Sequence, residues 1–547
     1  MPRVPAMNRR KFLSHAIGGT TLSLAGGPGG RALSAEATAP RPGSAVAPPS
    51  PLPRGPSGAW AIGNRAQLFL DQQVVASSRD VVFTPHAARK HPGNPLVRAD
   101  RPWEGWRINV YGTVLFDAEE RIFKMWYVGD TSAWFPHFAT HYAVSRDGFH
   151  WEKPPVGTVQ KDGLSSHNVV IDACQIASVH KDLAEPDPAR RYKAVEWSHA
   201  GGARAKPIGG PHALVSPDGL RWTRISTQNL FRSNDVVTAF YDVRRKLWVA
   251  LPKLSTPVRG TVRRCFGVTW TENLLDWPDP RLAFQPDLRD DAGTLARIEA
   301  VRPVLDVPDD PSLMRTEFYG VGVYQAESCV VGFPWVFSIN NSARFPATRT
   351  PNHEGSCEVQ LAVSRDLQTW ERPFRTPVIP LGEPGAWDSG FLTTASQAFR
   401  HGDEIRLYYG GGNYTHGNPV LYDEYQGQER GTKYTSSIGL ATWGLDRFVS
   451  ADGGETAGSL TTVPVQASGR RLELNLEATR GEVTVELLDP AGRPLPRFGR
   501  SDPLRTDSFR ATVTWHGRGD LAELSGRAIV LRFTLHRASL FSFAFRA

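Results

Sequence analysis

Short apolar runs that alternate with polar positions recur along most of the chain. Phe123–Tyr127 and Leu247–Leu251 are two such runs, and the polar stretch Asp242–Lys246 has the composition of a hairpin loop. A period of two residues is typical of β-strands, whereas the longer period of an amphipathic helix does not extend over any long segment. The pattern therefore predicts an all-β protein.

Five copies of one short motif follow such apolar runs. The copies, three clear and two degraded, are Ser145–Trp151, Ser216–Trp222, Ser364–Trp370, Thr271–Trp277 and Thr442–Phe448. Each copy ends in an aromatic residue, and the repeats are longer than a hairpin. Strand-rich repeats of this kind are typical of β-propeller blades. We therefore predict a five-bladed β-propeller over residues 58–450, with a narrow funnel along its axis.

The pattern changes after about residue 459, where the repeated motif no longer occurs. Alternating strands are predicted instead, joined by turns such as Asp489–Gly492; they are Arg471–Leu476, Glu482–Leu488, Phe509–Trp515 and Ala528–Leu535. This spacing favours a small antiparallel β-sandwich. The predicted fold is thus all-β: a five-bladed β-propeller followed by a C-terminal β-sandwich over residues 451–547.

The first 57 residues have a different composition from the rest. Asn8–Leu13 contains an arginine pair and precedes the Gly-rich apolar run Ala16–Gly27. This arrangement is typical of a twin-arginine export signal, predicted over residues 1–35, with a Pro-rich linker over residues 36–57. The apolar run is too short and too Gly-broken to span a membrane. We expect a periplasmic or secreted protein exported by the twin-arginine route.

Charge and cysteine content exclude several other classes. Residues 1–57 carry seven basic residues against Glu36, so the chain's formal net charge of +8 leaves the body nearly neutral, and nucleic acid is not an expected partner. Four cysteines (Cys174, Cys265, Cys329 and Cys357) lack metal-ligand spacing, and we expect buried thiols. A Cys329–Cys357 bridge is the alternative. No metal site or cofactor is predicted, although a structural cation at the axis stays open, and nothing indicates an oligomeric state.

Carboxylates precede the predicted first strand in four of the five repeats. They are Glu104, Asp235, Glu317 and Asp388. In the second repeat His167 precedes the predicted first strand, Val169–Ile171. First strands line the axis of a propeller, so these groups would converge there. Neighbouring carboxylates push their pKa values apart, which gives the acid and the base that cleave a glycosidic bond. Side chains that suit sugar rings lie beside them in sequence: Trp103, Arg107, Tyr111, His167, Tyr319, Trp387, Asn413 and His416.

About 450 residues resemble the five-bladed propeller glycoside hydrolases of families 32, 43, 62 and 68. The likeness is greatest to family 32-like proteins with a C-terminal β-sandwich. It is carried by the repeated motifs and by Arg89–Pro95, Pro102–Gly105, Phe123–Tyr127 and Gly385–Gly390. The nucleophile, Arg-Asp-Pro and Glu-Cys motifs of characterised family 32 members are missing, with only a faint echo at Glu327–Cys329. Their catalytic roles are therefore not transferred.

The leading hypothesis is an exported glycoside hydrolase that acts on a plant or algal poly- or oligosaccharide. Glu317 would be the general acid, Asp235 or Asp388 the nucleophile or base, and Glu104 would tune a pKa or bind a sugar hydroxyl. One alternative is a non-catalytic carbohydrate-binding or scaffold propeller. A third hypothesis is phosphorolysis of glycosides, with Arg107, Arg315 and His167 holding phosphate.

Overall fold

The computed structural model describes residues 54–55, 58–105, 107–130, 138–160, 163–198, 209–305, 308–343, 352–417 and 434–547. The predicted signal peptide and most of the predicted linker lie outside these ranges. The described part consists mainly of β-strands, with one α-helix, α1 (Leu288–Ala300), which confirms the all-β prediction. Within it, no helix combines the length and the hydropathy needed to cross a membrane.

Four short strands precede the first repeat. They are β1 (Gln67–Leu68), β2 (Val75–Arg79), β3 (Val81–Pro85) and β4 (Arg89–Lys90).

Three four-stranded antiparallel sheets follow. The first sheet contains β5 (Ile108–Asp117), β6 (Ile122–Asp130), β7 (Phe138–Ser145) and β8 (Val169–Ile171). The second sheet contains β9 (Cys174–Lys181), β10 (Tyr192–Ser198), β11 (Gly210–Ser216) and β12 (Thr223–Arg224). The third sheet contains β13 (Val237–Asp242), β14 (Leu247–Val258), β15 (Thr261–Thr271) and β16 (Arg281–Phe284).

The last two repeats share one nine-stranded sheet. Its strands are β17 (Arg315–Gln325), β18 (Val330–Ala343), β19 (Asn352–Val359), β20 (Ala362–Ser364), β21 (Phe391–Thr394), β22 (Phe399–His401), β23 (Glu404–Gly412), β24 (Ser436–Gly444) and the early strand β4. A single parallel pairing of Cys357 with Phe391 joins the two repeats, and β4 forms the outer edge beside β24.

The first strands of the five repeats form a closed ring. Strand β5 contacts β9, β9 contacts β13, β13 contacts β17, β17 contacts β21, and β21 contacts β5. This cyclic order is the one expected of the predicted five-bladed ring. One strand assignment was wrong: Val169–Ile171, expected to begin the second repeat, is the outer strand β8 of the first sheet. It pairs antiparallel with β7, so β9 takes the inner position.

The repeated motif forms a side-chain-capped turn. In the first copy the Asp147 carboxylate accepts the backbone N–H groups of Phe149 at 2.7 Å and His150 at 2.9 Å, and the Ser145 hydroxyl accepts the N–H of Gly148 at 2.9 Å. The Trp151 indole N–H donates to the carbonyl of Gly148 at 3.2 Å. Short polar side chains of this kind commonly cap turns. The motif therefore fixes architecture and carries no chemistry.

The C-terminal strands form two further sheets. They are β25 (Val449–Gly453), β26 (Gly458–Thr462), β27 (Val465–Gln466), β28 (Arg471–Glu477), β29 (Glu482–Leu488), β30 (Asp507–Thr512), β31 (Ala528–His536) and β32 (Ala538–Arg546). One sheet has the order β3-β25-β32-β28-β30, with β1 also on β32. The other has the order β2-β26-β31-β27, with β29 also on β31. Buried side chains of both sheets share one apolar cluster, and the assignment as a β-sandwich stays a prediction.

Strands β1 to β3 therefore pair with the end of the chain, although the sequence prediction grouped them with the repeats in residues 58–450. The physical reason is complementary strand edges: β1 pairs with β32, β2 with β26, and β3 with β25. All four cysteines are buried free thiols, so the alternative Cys329–Cys357 bridge does not form.

Buried charges lie where the repeats meet these last sheets. Arg365 and Asp71, 3% and 2% exposed, form an ion pair at 2.5 Å between the fourth repeat and the segment after β1. Nearby, Glu327 binds Arg546 at 2.9 Å. Asp446 is also buried, and its burial, reinforced by the charge of Glu327, raises its pKa to about 7.

Candidate functional site

One group of polar side chains connects several first strands of the ring with their neighbours. We call it the central cluster. Its members come from the loop before β13, from β14, β15, β17 and β19, and from the loop after β23: Asp235, Lys253, Arg264, Arg315, Glu317, Tyr319, His353 and His416. Arg315, Glu317 and Tyr319 occupy alternate positions of β17, which places them on one face of the strand.

Asp235 is the most accessible carboxylate of the cluster. Its side chain is 40% exposed, and its Oδ1 lies 2.5 Å from Nζ of Lys253, whose own side chain is only 2% exposed. Burial raises the pKa of Asp235, but the Lys253 charge and hydrogen bond, with Arg264, outweigh this and hold the pKa below its usual value. Asp235 is therefore ionised, and it is exposed to solvent while it contacts the buried Lys253.

Glu317 is enclosed by two arginines. Its Oε1 accepts from Nε of Arg315 at 2.7 Å, and its Oε2 accepts from Nη1 of Arg264 at 2.7 Å. Burial again raises the pKa, but the two guanidinium charges together lower it below the ordinary glutamate value. This environment keeps Glu317 ionised, which does not suit the general-acid role that the sequence suggested.

Two histidines in the cluster are neutral. His416 Nδ1 lies 2.8 Å from the carbonyl of His353 and so carries the hydrogen; its Nε2 then accepts from the Tyr319 hydroxyl at 3.1 Å. Burial and the Arg264 charge lower the pKa of His416 to about 3. The His353 ring lies between Arg264 at 3.2 Å and Arg315 at 3.0 Å, and burial with the Arg264 charge lowers its pKa to about 4.

Arg107 and Tyr111 border the same cluster. Arg107 donates to the Tyr414 hydroxyl at 3.4 Å; burial raises the pKa of Tyr319, and the charges of Arg264 and Arg107 oppose that rise. The ring of Tyr111 stacks on Trp335 with centroids 5.4 Å apart and planes at 8°. Six of the twelve residues predicted for the site thus come together: Asp235, Glu317, Arg107, Tyr111, Tyr319 and His416.

Glu104 lies apart from this cluster. It is fully buried and accepts hydrogen bonds from the Tyr127 hydroxyl at 2.5 Å, from Lys153 at 2.9 Å, and from the backbone N–H groups of Asp100 and Arg101. These donors belong to the first sheet and its loops. They turn the carboxylate into the protein, where it holds the loop before β5.

Trp103 and His167 lie in the loops that flank the first sheet. The Trp103 indole donates to Oδ1 of Asn168 at 2.8 Å, and Nδ1 of His167 accepts from the N–H of Val169 at 3.1 Å. Val169 begins the outer strand β8, so the reassignment of this strand moves His167 away from the axis.

Asp388, Trp387 and Asn413 have partners within the last repeat. Asp388 Oδ2 lies 2.7 Å from Nζ of Lys90 on the outermost strand β4 and accepts from the Tyr409 hydroxyl at 2.9 Å. Trp387 packs on the same tyrosine ring, with centroids 5.4 Å apart. Asn413 Oδ1 accepts from the N–H of Thr435 at 2.8 Å and so joins two loop segments. Asp388 therefore fastens the edge strand to the sheet.

Lys253 and Arg264 belong to the cluster but were not predicted. Both stand in the second and third strands of the third repeat, within otherwise apolar or alternating stretches. A basic residue at a buried strand position is unusual unless it is paired. That signal could have identified both residues. Among the described residues, no group of His, Cys, Asp and Glu has an arrangement that could hold a metal ion.

No protein-family model matches the chain, and no curated protein matches it. Similar solved structures include a β-1,2-mannobiose phosphorylase from Listeria innocua (TM-score 0.39, 11% identity, covering 66% of this chain and 97% of that one). Others are a glycosyl hydrolase from Bacteroides ovatus (0.39, 12%, 68% and 97%) and a fructofuranosidase from Schwanniomyces occidentalis (0.34, 9%, 84% and 96%). Similarities of this size do not establish a shared activity, and the family 32 resemblance stays a prediction.

Proposed function

We propose that this protein is a carbohydrate-active enzyme that hydrolyses glycosidic bonds at the central cluster. The observation that supports this most directly is the accessible, ionised carboxylate of Asp235, which is bound to Lys253, with Lys253 Nζ 4.3 Å from the centroid of the Tyr319 ring. A second ionised carboxylate, Glu317, lies in the same cluster. Charged carboxylates stabilise the oxocarbenium-like transition state of glycoside cleavage, and aromatic residues suit sugar rings.

The two carboxylates have different roles in this proposal. Asp235 contacts the substrate and acts as nucleophile or base, because it is ionised and 40% exposed; water supplies the oxygen that ends on the anomeric carbon and the proton that the leaving oxygen takes up. Glu317 is 1% exposed, and its two oxygens bind Arg264 and Arg315. Glu317 is therefore a positioning residue that fixes the two guanidinium groups, in place of the acid role first expected.

Export and substrate class belong to the same proposal. The arginine pair near the N-terminus supports export by the twin-arginine route, and a plant or algal poly- or oligosaccharide is the proposed substrate. The carboxylates that do not reach the cluster, Glu104 and Asp388, have no part in the proposed chemistry.

The test is to incubate the protein lacking residues 1–57 with plant and algal glycans and to measure new reducing ends. Asp235→Asn should lose activity by about 100-fold or more, as expected when a general base or nucleophile is removed. Asp388→Asn is the matched control, because it also removes a predicted catalytic carboxylate. Among the described residues, the Asp388 side chain binds Lys90 and Tyr409 only. This variant should keep its activity if its melting temperature is unchanged. Glycan binding without bond cleavage would instead support the non-catalytic alternative.

A further inference from the structure

The charges of the central cluster do not balance. Three cations, Lys253, Arg264 and Arg315, face two ionised carboxylates, Asp235 and Glu317. The two histidines are neutral, so they do not change this count. In a partly buried site, an excess of positive charge favours a negatively charged ligand.

Two of these cations are already held by other groups. Arg315 is 8% exposed and donates from Nε to Glu317 and from Nη1 to the carbonyl of Leu313 at 2.9 Å, and its Nη2 lies 3.0 Å from Nε2 of His353. Lys253 is 2% exposed, bound to Asp235, and covered by the Tyr319 ring, whose centroid is 4.3 Å from Nζ. Both groups hold the two carboxylates in place.

Arg264 differs from them. Its side chain is 19% exposed, and its hydrogen bond to Glu317 comes from Nη1, the same nitrogen that lies 3.2 Å from Nδ1 of His353. Within the described ranges, Nε and Nη2 have no hydrogen-bond partner. These two N–H groups point in parallel along one edge of the guanidinium, which is the fork that binds carboxylate, sulfate or phosphate oxygens in pairs.

The orientation of that fork is fixed before any ligand binds. The Arg264 guanidinium lies over the rings of Tyr319 and Phe337, with its central carbon 5.7 Å and 5.4 Å from their centroids, and Glu317 anchors its opposite edge. A preorganised donor loses little conformational entropy when it binds a ligand. The nearby Asp235 repels an anion only weakly, because Lys253 compensates its charge.

We propose that Arg264 forms an oxyanion site in the central cluster. This rests on the proposed function, which it deepens by assigning a substrate class. The oxyanion is either a carboxylate or sulfate carried by the sugar that is cleaved, or free phosphate used as a co-substrate. In the second case a phosphate oxygen replaces the glycosidic oxygen at the anomeric carbon, and the proton of hydrogen phosphate passes to the leaving oxygen, giving a sugar phosphate and a free hydroxyl.

The experiment measures binding by calorimetry for the protein lacking residues 1–57. Three probes are compared: a neutral oligogalactoside, the matching oligogalacturonide or sulfated oligogalactoside, and inorganic phosphate. An anionic probe should bind about 10- to 100-fold more tightly than the neutral one, since a hydrogen bond to a charged group contributes about 1.5–3 kcal/mol. The preference should weaken as salt is raised. Arg264→Gln should abolish it, and Arg264→Lys should keep only part, because lysine has the charge without the fork.

Arg221→Gln is the control, because Arg221 is 68% exposed on an outer turn and should leave the preference unchanged. Tighter binding of the acidic glycan identifies a sugar substituent, whereas phosphate binding with phosphate-dependent release of a sugar phosphate identifies the free co-substrate. Equal affinity for neutral and anionic probes in the unaltered protein overturns the oxyanion site, even if both variants fail to fold. Cleavage of neutral glycans without any preference for anionic probes would support the hydrolase proposal and reject the oxyanion site. Preferential anion binding without any cleavage would support the oxyanion site and reject the hydrolase proposal.

Discussion

Replacing Asp446 with Asn should stabilise the protein at alkaline pH relative to acid pH. Asp446 is 6% exposed, and within the described ranges its Oδ1 has no hydrogen-bond partner. Burial is the main reason that its pKa rises to about 7, the charge of Glu327 adds to it, and Arg400, Arg546 and Tyr324 oppose it. An aspartate in the unfolded chain has a pKa of about 3.9. The folded protein therefore binds this proton more tightly than the unfolded chain.

Linkage gives the direction of the pH effect. Below about pH 4 both states are protonated at Asp446 and its stabilising contribution is fully present. Between about pH 4 and pH 7 the unfolded chain loses the proton first, so the free energy of unfolding falls by about 4 kcal/mol, at about 1.4 kcal/mol for each pKa unit. Asn cannot ionise and avoids this loss, although a buried amide without a partner costs about 1–3 kcal/mol. We expect a net gain of about 1–3 kcal/mol at pH 8.

The assay is urea unfolding followed by tryptophan fluorescence at pH 4.5 and pH 8. The difference in unfolding free energy between Asp446→Asn and the unaltered protein should shift by several kcal/mol in favour of the variant between the two pH values. Backbone strain does not confuse the comparison, because residue 446 has a φ of +58°, which Asn tolerates as well as Asp. Asp279→Asn, at an exposed position, is the control. A difference that is the same at both pH values would refute the reasoning.

Three further predictions concern other buried groups. Arg365→Ala should destabilise the protein by about 3–5 kcal/mol in guanidinium unfolding, because it leaves Asp71 charged and buried; recovery in a variant with both residues made apolar would confirm the cause. Native protein should react with an aromatic disulfide reagent at none of its four cysteines, and denatured protein at all four without prior reduction. Lys253→Met should raise the pKa of Asp235, so the acid limb of the activity profile should move to higher pH, whereas Lys253→Arg should leave it near its place.

Local pattern was enough to predict the all-β class and the repeating turns. The motif makes its hydrogen bonds within a few residues, as Asp147 does with Phe149 and His150. A turn that depends only on neighbouring residues can be predicted from the local sequence. The assignment of Val169–Ile171 failed because a three-residue apolar run fits an inner or an outer strand equally well. Pairing with β7 decided its place, and that is a long-range property.

The candidate site was predicted in part for a related reason. Sequence position before a first strand puts a residue near the mouth of the ring, and this was sufficient for Asp235. The direction of a side chain depends on its partners, and Glu104 and Asp388 turn toward lysines on other strands. Lys253 and Arg264 were missed because they lie on second and third strands, whereas the prediction considered only positions before first strands.

The pairing of the first strands with the last ones sets the order of events during synthesis. Gln67 pairs with Phe543, about 480 positions later, so at about 5–20 residues per second the ribosome needs roughly 25–95 s to supply the partner of β1. Strand β3 stays unpaired until β25 is made, β2 until β26 and β1 until β32, and unpaired strand edges are templates for association between chains. A nascent chain that stops before β32 lacks the pairing partner of β1 and one neighbour of β25. Truncation at the C-terminal end therefore first removes a strand pairing at the N-terminal end.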